Sequence, residues 1–195
     1  VYIENKAKKL QIRAEARRVV FVIETSRTRD NNAMEIIKSY FTAKSGDFIT
    51  AVDEDNIILV KELGEKEDYR ELETLAKTII DLLNTEALSN AKVAYGTIIG
   101  NIKDISRSYN EAKMALDVGK IFYQEKKVVA YNRLGIGRLI YQLPIPLCKM
   151  FIDEIFPGMT PEAFDEETLM TIARFFENSL NGSETARQLY IHINT

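Results

Sequence analysis

The chain has 195 residues, of which 46% are hydrophobic and 28% charged, with a formal net charge of -3. Such values are ordinary for a globular protein of one domain or two small ones, and they give no basic footprint for nucleic acid. No apolar run approaches the ~18 residues of a membrane span. The single cysteine, Cys148, excludes an intramolecular disulfide framework and favours a reducing, cytoplasmic compartment. No secretory signal opens the sequence. Because the first residue is Val1 rather than Met, we expect a fragment of a longer protein.

The first 133 residues predict alternating strands and helices. β-branched and aromatic runs are typical of strands, and apolar residues at a spacing of three or four are typical of helices. Asn31 or Asn32 is a plausible cap for the first of these helices. The pattern reads strand, helix, hairpin, helix, strand, helix, strand. These elements fall at residues 19–23, 34–41, 48–52 with 57–60, 67–84, 91–98, 105–123 and 128–131.

This order predicts an α+β fold with a ferredoxin-like βαββαβ core and a mixed sheet. We expect the strands at 19–23 and 91–98 to be neighbours in one sheet. The helices at 67–84 and 105–123 should cover a face of it. Gly96 and Gly100 match no phosphate-binding motif, so we expect them to shape the end of a strand.

Beyond Leu134 the sequence predicts helices alone, at 139–141, 147–155 and 169–180. All four prolines lie between or just before these helices, where a first helical turn tolerates proline. We therefore predict a lead-in helix or linker at 1–17, an α+β domain at 18–133 and an all-helical module at 134–195.

The end of the chain predicts the front of a helix-turn-helix unit. A helix over 166–180 ends at Asn181-Gly182, Ser183 caps a second helix over 183–190, and a third helix starts near His192. Ala186 is small enough to let two helices approach. The third helix, which should enter the major groove of DNA, is cut off after three or four residues.

The stretch S-E-T-A-R-Q-L-Y-I-H-I-N-T at 183–195 resembles the C-terminal helix-turn-helix of the PucR/CdaR family of bacterial transcription regulators. Members run close to S-x-T-A-x-x-L-x-[VI]-H-R-N-T-L, and Ile193 stands where the family usually has arginine. The resemblance implies DNA-binding roles for six residues. They are Ser183, Thr185, Arg187, His192, Asn194 and Thr195.

Upstream, the 48–60 hairpin, A-Y-G-T-I-I-G at 94–100 and S-Y-N-E-A-K-M-A-L at 108–116 resemble the GGDEF-like domain of the same family. The resemblance implies a regulator of catabolic genes for sugar diacids, purines or similar compounds. It also implies a homodimer, DNA as partner, and a small-molecule effector that binds an absent N-terminal domain. The GGDEF-like domain would be non-catalytic and serve signal relay or dimerisation.

Asp53-Glu54-Asp55 sits where a diguanylate cyclase carries its Gly-Gly-Asp-Glu-Phe hairpin. A cyclase needs glycines there for close approach of the backbone to the nucleotide, and carboxylates to hold Mg²⁺. The glycine pair is missing, so we interpret the acids as a solvated turn and Glu24, at the end of the first strand, as a surface residue. We expect no enzyme activity and no catalytic, cofactor-binding or metal-binding residues. The alternative is a nucleotide-binding or nucleotide-cyclising domain.

His192 is the only histidine, and no neighbour in sequence suggests a catalytic triad. Two interpretations remain open: a residue at the start of the recognition helix, or a partly exposed turn residue.

Overall fold

The computed structural model describes residues 2–26, 32–41, 46–53, 55–160 and 163–193. Asn31, Glu54, Asn194 and Thr195, which carry predictions above, lie outside these residues. Contacts divide the chain into two compact units, Val1–Gln142 and Leu143–Thr195. Among the described residues, no helix is both long enough and apolar enough to cross a membrane.

The first unit contains five strands and five α-helices among its described residues. In chain order they are α1 (Tyr2–Lys9), β1 (Arg18–Thr25), α2 (Ala33–Phe41), β2 (Phe48–Ala51), β3 (Asn56–Glu62), α3 (Tyr69–Glu86), β4 (Ala91–Tyr95), α4 (Ile105–Phe122), β5 (Val128–Ala130) and α5 (Ile136–Tyr141). The predicted order of strands and helices is therefore confirmed.

The strands form one mixed sheet in the order β2-β3-β1-β4-β5. β1 is antiparallel to both β3 and β4, with Phe21 opposite Tyr95, and β5 is parallel to β4. The first four strands follow the ferredoxin-like arrangement, in which β3 separates β1 from the parallel strand β2. The α+β prediction, including neighbouring strands at 19–23 and 91–98, is confirmed.

The two faces of the sheet carry different helices. Because side chains alternate across a strand, Phe21 and Tyr95 pack with α2 and α3, whereas Val22 and Ala94 pack with α4. Helices α3 and α4 thus each cover a face, and the faces are opposite. Burial on both sides explains why β1 is a nearly continuous apolar run.

Helix α4 meets the sheet at Gly96 and Ser108. A Cβ atom at Gly96 would lie 2.1 Å from the Ser108 carbonyl oxygen, so only glycine fits there. The fully buried Ser108 hydroxyl accepts a hydrogen bond from the Val20 amide at 3.0 Å and donates one to the Thr97 carbonyl at 2.9 Å. Ser108 therefore satisfies backbone groups that the strands leave unpaired.

The described residues of the second unit contain α6 (Ile145–Ile155), α7 (Glu166–Glu177) and α8 (Gly182–Leu189). Helices α6 and α7 bury none of their side chains, whereas α8 buries Thr185 and Ala186. The burial of Ala186 fits the expected close approach of two helices, because α8 packs against α7.

Two details of the predicted helix-turn-helix are wrong. Helix α7 ends at Glu177, because Ser179 and Leu180 adopt left-handed backbone angles that end the helix. Ser183 is not the cap of α8; the Asn181 side chain accepts a hydrogen bond from the Glu184 amide and caps it. The left-handed Tyr190 ends α8, and residues 190–193 are not helical. The third helix near His192 stays a prediction, because residues 194–195 lie outside the described part of the chain.

We expect Ser108→Ala to lower the free energy of unfolding by about 2 kcal/mol, because it leaves the buried Val20 amide and the partly buried Thr97 carbonyl without their partner. Ser106→Ala, on the exposed side of the same helix, is the matched control and should stay within about 0.5 kcal/mol of the parent chain. Urea denaturation measures both. Equal losses in the two variants would show that the Ser108 hydroxyl does not hold α4 to the sheet.

Candidate functional site

A cleft of about 140 Å³ lies between the β2–β3 hairpin, the end of β1 and one side of α4. The hairpin is placed by the sheet register, which puts Asn56 opposite Glu24. The ionisable side chains that line the cleft are Glu24, Asp53, Tyr109, Lys113, Asp117 and Lys120. This is the position at which the sequence suggested the cyclase hairpin.

Asp53 is committed to the hairpin turn. Its Oδ1 atom accepts hydrogen bonds from the amides of Asp55 at 2.9 Å and Asn56 at 2.8 Å. The Asn56 side-chain amide donates to both carboxylate oxygens, at 2.9 and 3.0 Å. An aspartate that binds the backbone two and three residues ahead closes a turn. This supports the interpretation of the acidic segment as a structural turn.

Glu24 forms an ion pair with a residue on α4. The Lys120 ammonium donates a hydrogen bond to Glu24 Oε1 across a separation of 96 residues. Both side chains remain partly exposed, at 43% for Lys120 and 27% for Glu24. The ammonium therefore lies against the carboxylate at the end of β1, which the sequence analysis interpreted as a surface residue.

The carboxylates near this cleft serve protein contacts. Asp117 accepts a hydrogen bond from the Tyr141 hydroxyl at 3.2 Å, and the negative charge of Asp117 raises the pKa of Tyr141. Across the described residues, no group of three or more His, Cys, Asp or Glu side chains is arranged to hold a metal ion. The cleft therefore combines three carboxylates that contact protein groups with two lysines, of which Lys120 is paired with Glu24.

The second candidate site is the corner between α7 and α8. The Thr185 hydroxyl is buried, donates to the Asn181 carbonyl at 2.8 Å and accepts from the Asn178 side chain at 3.2 Å. The Asn178 amide also donates to Gln188 Oε1 at 3.1 Å. Thr185 therefore holds the corner together. Asn178 was missed by the sequence analysis, because it lies in the segment predicted as the interior of the first helix.

The predicted DNA-binding residues differ in their surroundings. Ser183 and His192 are exposed. Arg187 is exposed but bound to Glu184 through its Nε atom at 2.9 Å and its Nη2 atom at 2.5 Å. That pairing, with a smaller contribution from Gln188, lowers the pKa of Glu184 to about 2. Because the folded pKa is depressed, the pairing stabilises α8 above the ordinary pKa of 4.5 and is lost as the pH falls toward about 2.

The GGDEF-like domain family matches residues 2–118 of the chain. A purine catabolism regulatory protein from Bacillus subtilis (strain 168) is 22% identical over 134 residues, which are 66% of this chain and 25% of that protein. The chain thus spans about a quarter of the length of this curated relative.

Three solved structures are similar to this chain. The GGDEF domain of DgcB from Caulobacter crescentus in complex with c-di-GMP has a TM-score of 0.46 at 10% identity, covering 67% of this chain and 85% of that chain. A microbial GGDEF domain with bis-(3,5)-cyclic di-GMP has a TM-score of 0.43 at 15% identity, covering 65% and 84%. A regulator of polyketide synthase expression from Bifidobacterium adolescentis has a TM-score of 0.48 at 11% identity, covering 99% and 76%.

We expect Asp53→Ala to lower the free energy of unfolding by about 1 kcal/mol, because the turn loses its hydrogen-bond acceptor. Asp53→Asn keeps a side-chain oxygen that can accept from the same two amides, so it should retain most of the stability. Chemical denaturation of both variants beside the parent chain measures the difference. An Asp53→Ala variant as stable as the parent would mean that the carboxylate is not needed by the turn.

Proposed function

Because this chain belongs to the GGDEF-like domain family, we propose that it is part of a DNA-binding regulator that controls the transcription of catabolic genes. The family match and the Bacillus relative confirm the resemblance to PucR/CdaR-type regulators. In this proposal residues 1–17 are a lead-in segment, 18–133 the GGDEF-like domain and 134–195 the helical module with the DNA-binding residues. The controlled genes encode proteins for the catabolism of sugar diacids, purines or similar compounds. The effector binds a separate N-terminal domain, and the regulator works as a homodimer.

The ion pair between Glu24 and Lys120 is the observation that carries a non-catalytic role for the GGDEF-like domain. A nucleotidyl cyclase uses carboxylates at the hairpin and strand end to hold Mg²⁺ at the phosphates. Here Lys120 neutralises one carboxylate and the hairpin turn engages Asp53. Both groups would have to give up these contacts before they could bind a metal. The domain therefore serves as a relay or dimerisation module.

The alternative function is nucleotide binding at the same cleft. Lys113 and Lys120 line it and are suited to phosphate groups. Against it, the hairpin carries side chains at Val52, Asp53 and Asp55, where a cyclase has the glycines that let the backbone approach a nucleotide.

Incubated with GTP and Mg²⁺, the purified chain is expected to form no cyclic dinucleotide, as measured by chromatography and mass spectrometry. Lys120→Gln releases Glu24 from its ion pair, and Lys66→Gln makes the same charge change at an exposed position away from the cleft. Isothermal titration with Mg²⁺ and GTP should detect tighter binding in Lys120→Gln alone. Cyclic dinucleotide made by the parent chain would establish the alternative function.

The proposed DNA-binding role rests on the α7–α8 corner and on the resemblance of residues 183–195. Specific readout requires side chains on a recognition helix that reach base edges, and the described residues 190–193 are not helical. Residues 162–195 contain six acidic and two basic side chains, a net charge of 2 - 6 = -4. The phosphates of DNA are bound by positively charged side chains, whereas this segment has a net negative charge.

We therefore expect the 195-residue chain not to shift an operator specifically in a gel-shift assay, whereas the full-length protein shifts the promoter of its own operon. In the full-length protein, Arg187→Ala should weaken the shift, while Arg174→Ala, on α7, serves as the matched control. A 195-residue chain that binds the promoter with the same preference over competitor DNA would refute the role given to the recognition helix.

A further inference from the structure

A second cavity, of about 430 Å³, opens between α3 and the edge strand β5. We call it the β5 groove. Its apolar lining includes Ile80 on α3, Tyr95 on β4 and Val128 on β5. The groove shares no lining residue with the hairpin cleft. Pockets that bind small organic molecules are concave, mostly apolar and roughly 300–1,000 Å³ in volume, and the β5 groove matches that description.

The floor of the groove contains the phenol of Tyr95, a residue that is only 1% exposed. Burial, and next the negative charge of Glu73, raise the pKa of the Tyr95 phenol. The hydroxyl therefore stays protonated at neutral pH and can donate a hydrogen bond. Buried hydroxyls are normally paired, by protein, water or ligand.

The rim of the groove is positively charged. Four basic residues line it, Lys77, Lys126, Lys127 and Arg133, against the two acids Glu73 and Asp81, so the local charge is 4 - 2 = +2 in a chain whose net charge is -3.

The basic residues divide into two pairs. Glu73 engages Lys77 at 3.1 Å and Arg133 at 2.7 Å. The Lys126 ammonium lies 4.5 Å from the centroid of the Tyr123 ring. Lys127 is exposed, and its ammonium forms no ion pair with any residue that the structure describes. Lys126 and Lys127 are therefore the two charges that remain available to an anion.

We propose that the β5 groove binds a small organic anion with a flat apolar body. The body lies against Ile80, Tyr95 and Val128, and the anionic group lies between the ammonium groups of Lys126 and Lys127. The Tyr95 hydroxyl donates a hydrogen bond to a polar atom on the bound molecule. This site adds a ligand contact within the GGDEF-like domain, separate from the effector site assigned to the N-terminal domain.

Two probes of nearly equal shape test the proposal on the full 195-residue chain. 1-Naphthoate carries the flat body and the charge, and 1-naphthylmethanol carries the same body without the charge. Titration followed by amide NMR spectra should show saturable shifts with naphthoate that map to the groove, at residues such as Ile80, Tyr95 and Lys127. The neutral probe should bind at least about threefold more weakly, as expected for loss of an exposed ion pair.

The double variant Lys126→Gln/Lys127→Gln should raise the naphthoate Kd at least about threefold and leave the neutral probe unchanged. Lys8→Gln/Lys9→Gln removes two exposed adjacent lysines from α1 and should leave both probes unchanged. Amide spectra confirm that each variant is folded. The proposal is overturned by unsaturable binding, by shifts that map elsewhere, by equal binding of the neutral probe, or by equal losses in the two double variants.

Discussion

The close approach of α4 to the sheet at Gly96 is the contact on which the rest of the first unit depends. A side chain larger than hydrogen at this position would collide with the backbone of Ser108. The short distance also lets the Ser108 hydroxyl reach Val20, so it supplies hydrogen bonds where the β1–β4 ladder ends. Small buried residues, Ala112 and Ala115, continue the contact along α4. Because close packing of this kind permits little movement, α4 can occupy only one position along the sheet.

That position of α4 explains the character of the hairpin cleft. Once the helix is held at Gly96, its side chains at 113 and 120 line the cleft beside the end of β1. Lys120 then reaches Glu24, and the hairpin closes its own turn through Asp53. A site that would need free carboxylates for a metal is instead stabilised by protein cations and amides. The Glu24 and Asp53 carboxylates thus stabilise the packing of α4 beside β1 and the turn of the hairpin.

The second unit depends on a different kind of contact. Its buried residues among those described are Thr185 and Ala186, whereas α6 and α7 expose large apolar side chains such as Phe151 and Phe176. The corner between α7 and α8 is held by hydrogen bonds of Asn178 and Thr185. Because helical stability in proteins comes mostly from packing of an apolar face, the polar corner defines the local geometry more than it supplies stability.

Local patterns in the sequence were sufficient for the elements and their order. The β-branched run of β1 and the apolar spacing of α3 reflect the periodicity of the backbone itself. Each element can therefore be predicted without knowledge of the elements that it packs against. The hairpin could also be predicted from local sequence, because turn-forming residues stand between two strand-like runs. The sequence did not predict that Asn181 rather than Ser183 caps α8, because both residue types are good helix caps and only the early end of α7 decides between them.

The tertiary structure decided which face each helix covers and which distant residues meet. Glu24 and Lys120 are 96 residues apart, and the β5 groove joins residues of α3, β4 and β5. No periodicity links such positions, because their meeting depends on sheet order and on the close approach of α4 at Gly96. The sequence by itself determined the strands, the helices and the family resemblance. The engaged carboxylates and the cationic groove arise only when the sheet brings separate segments together.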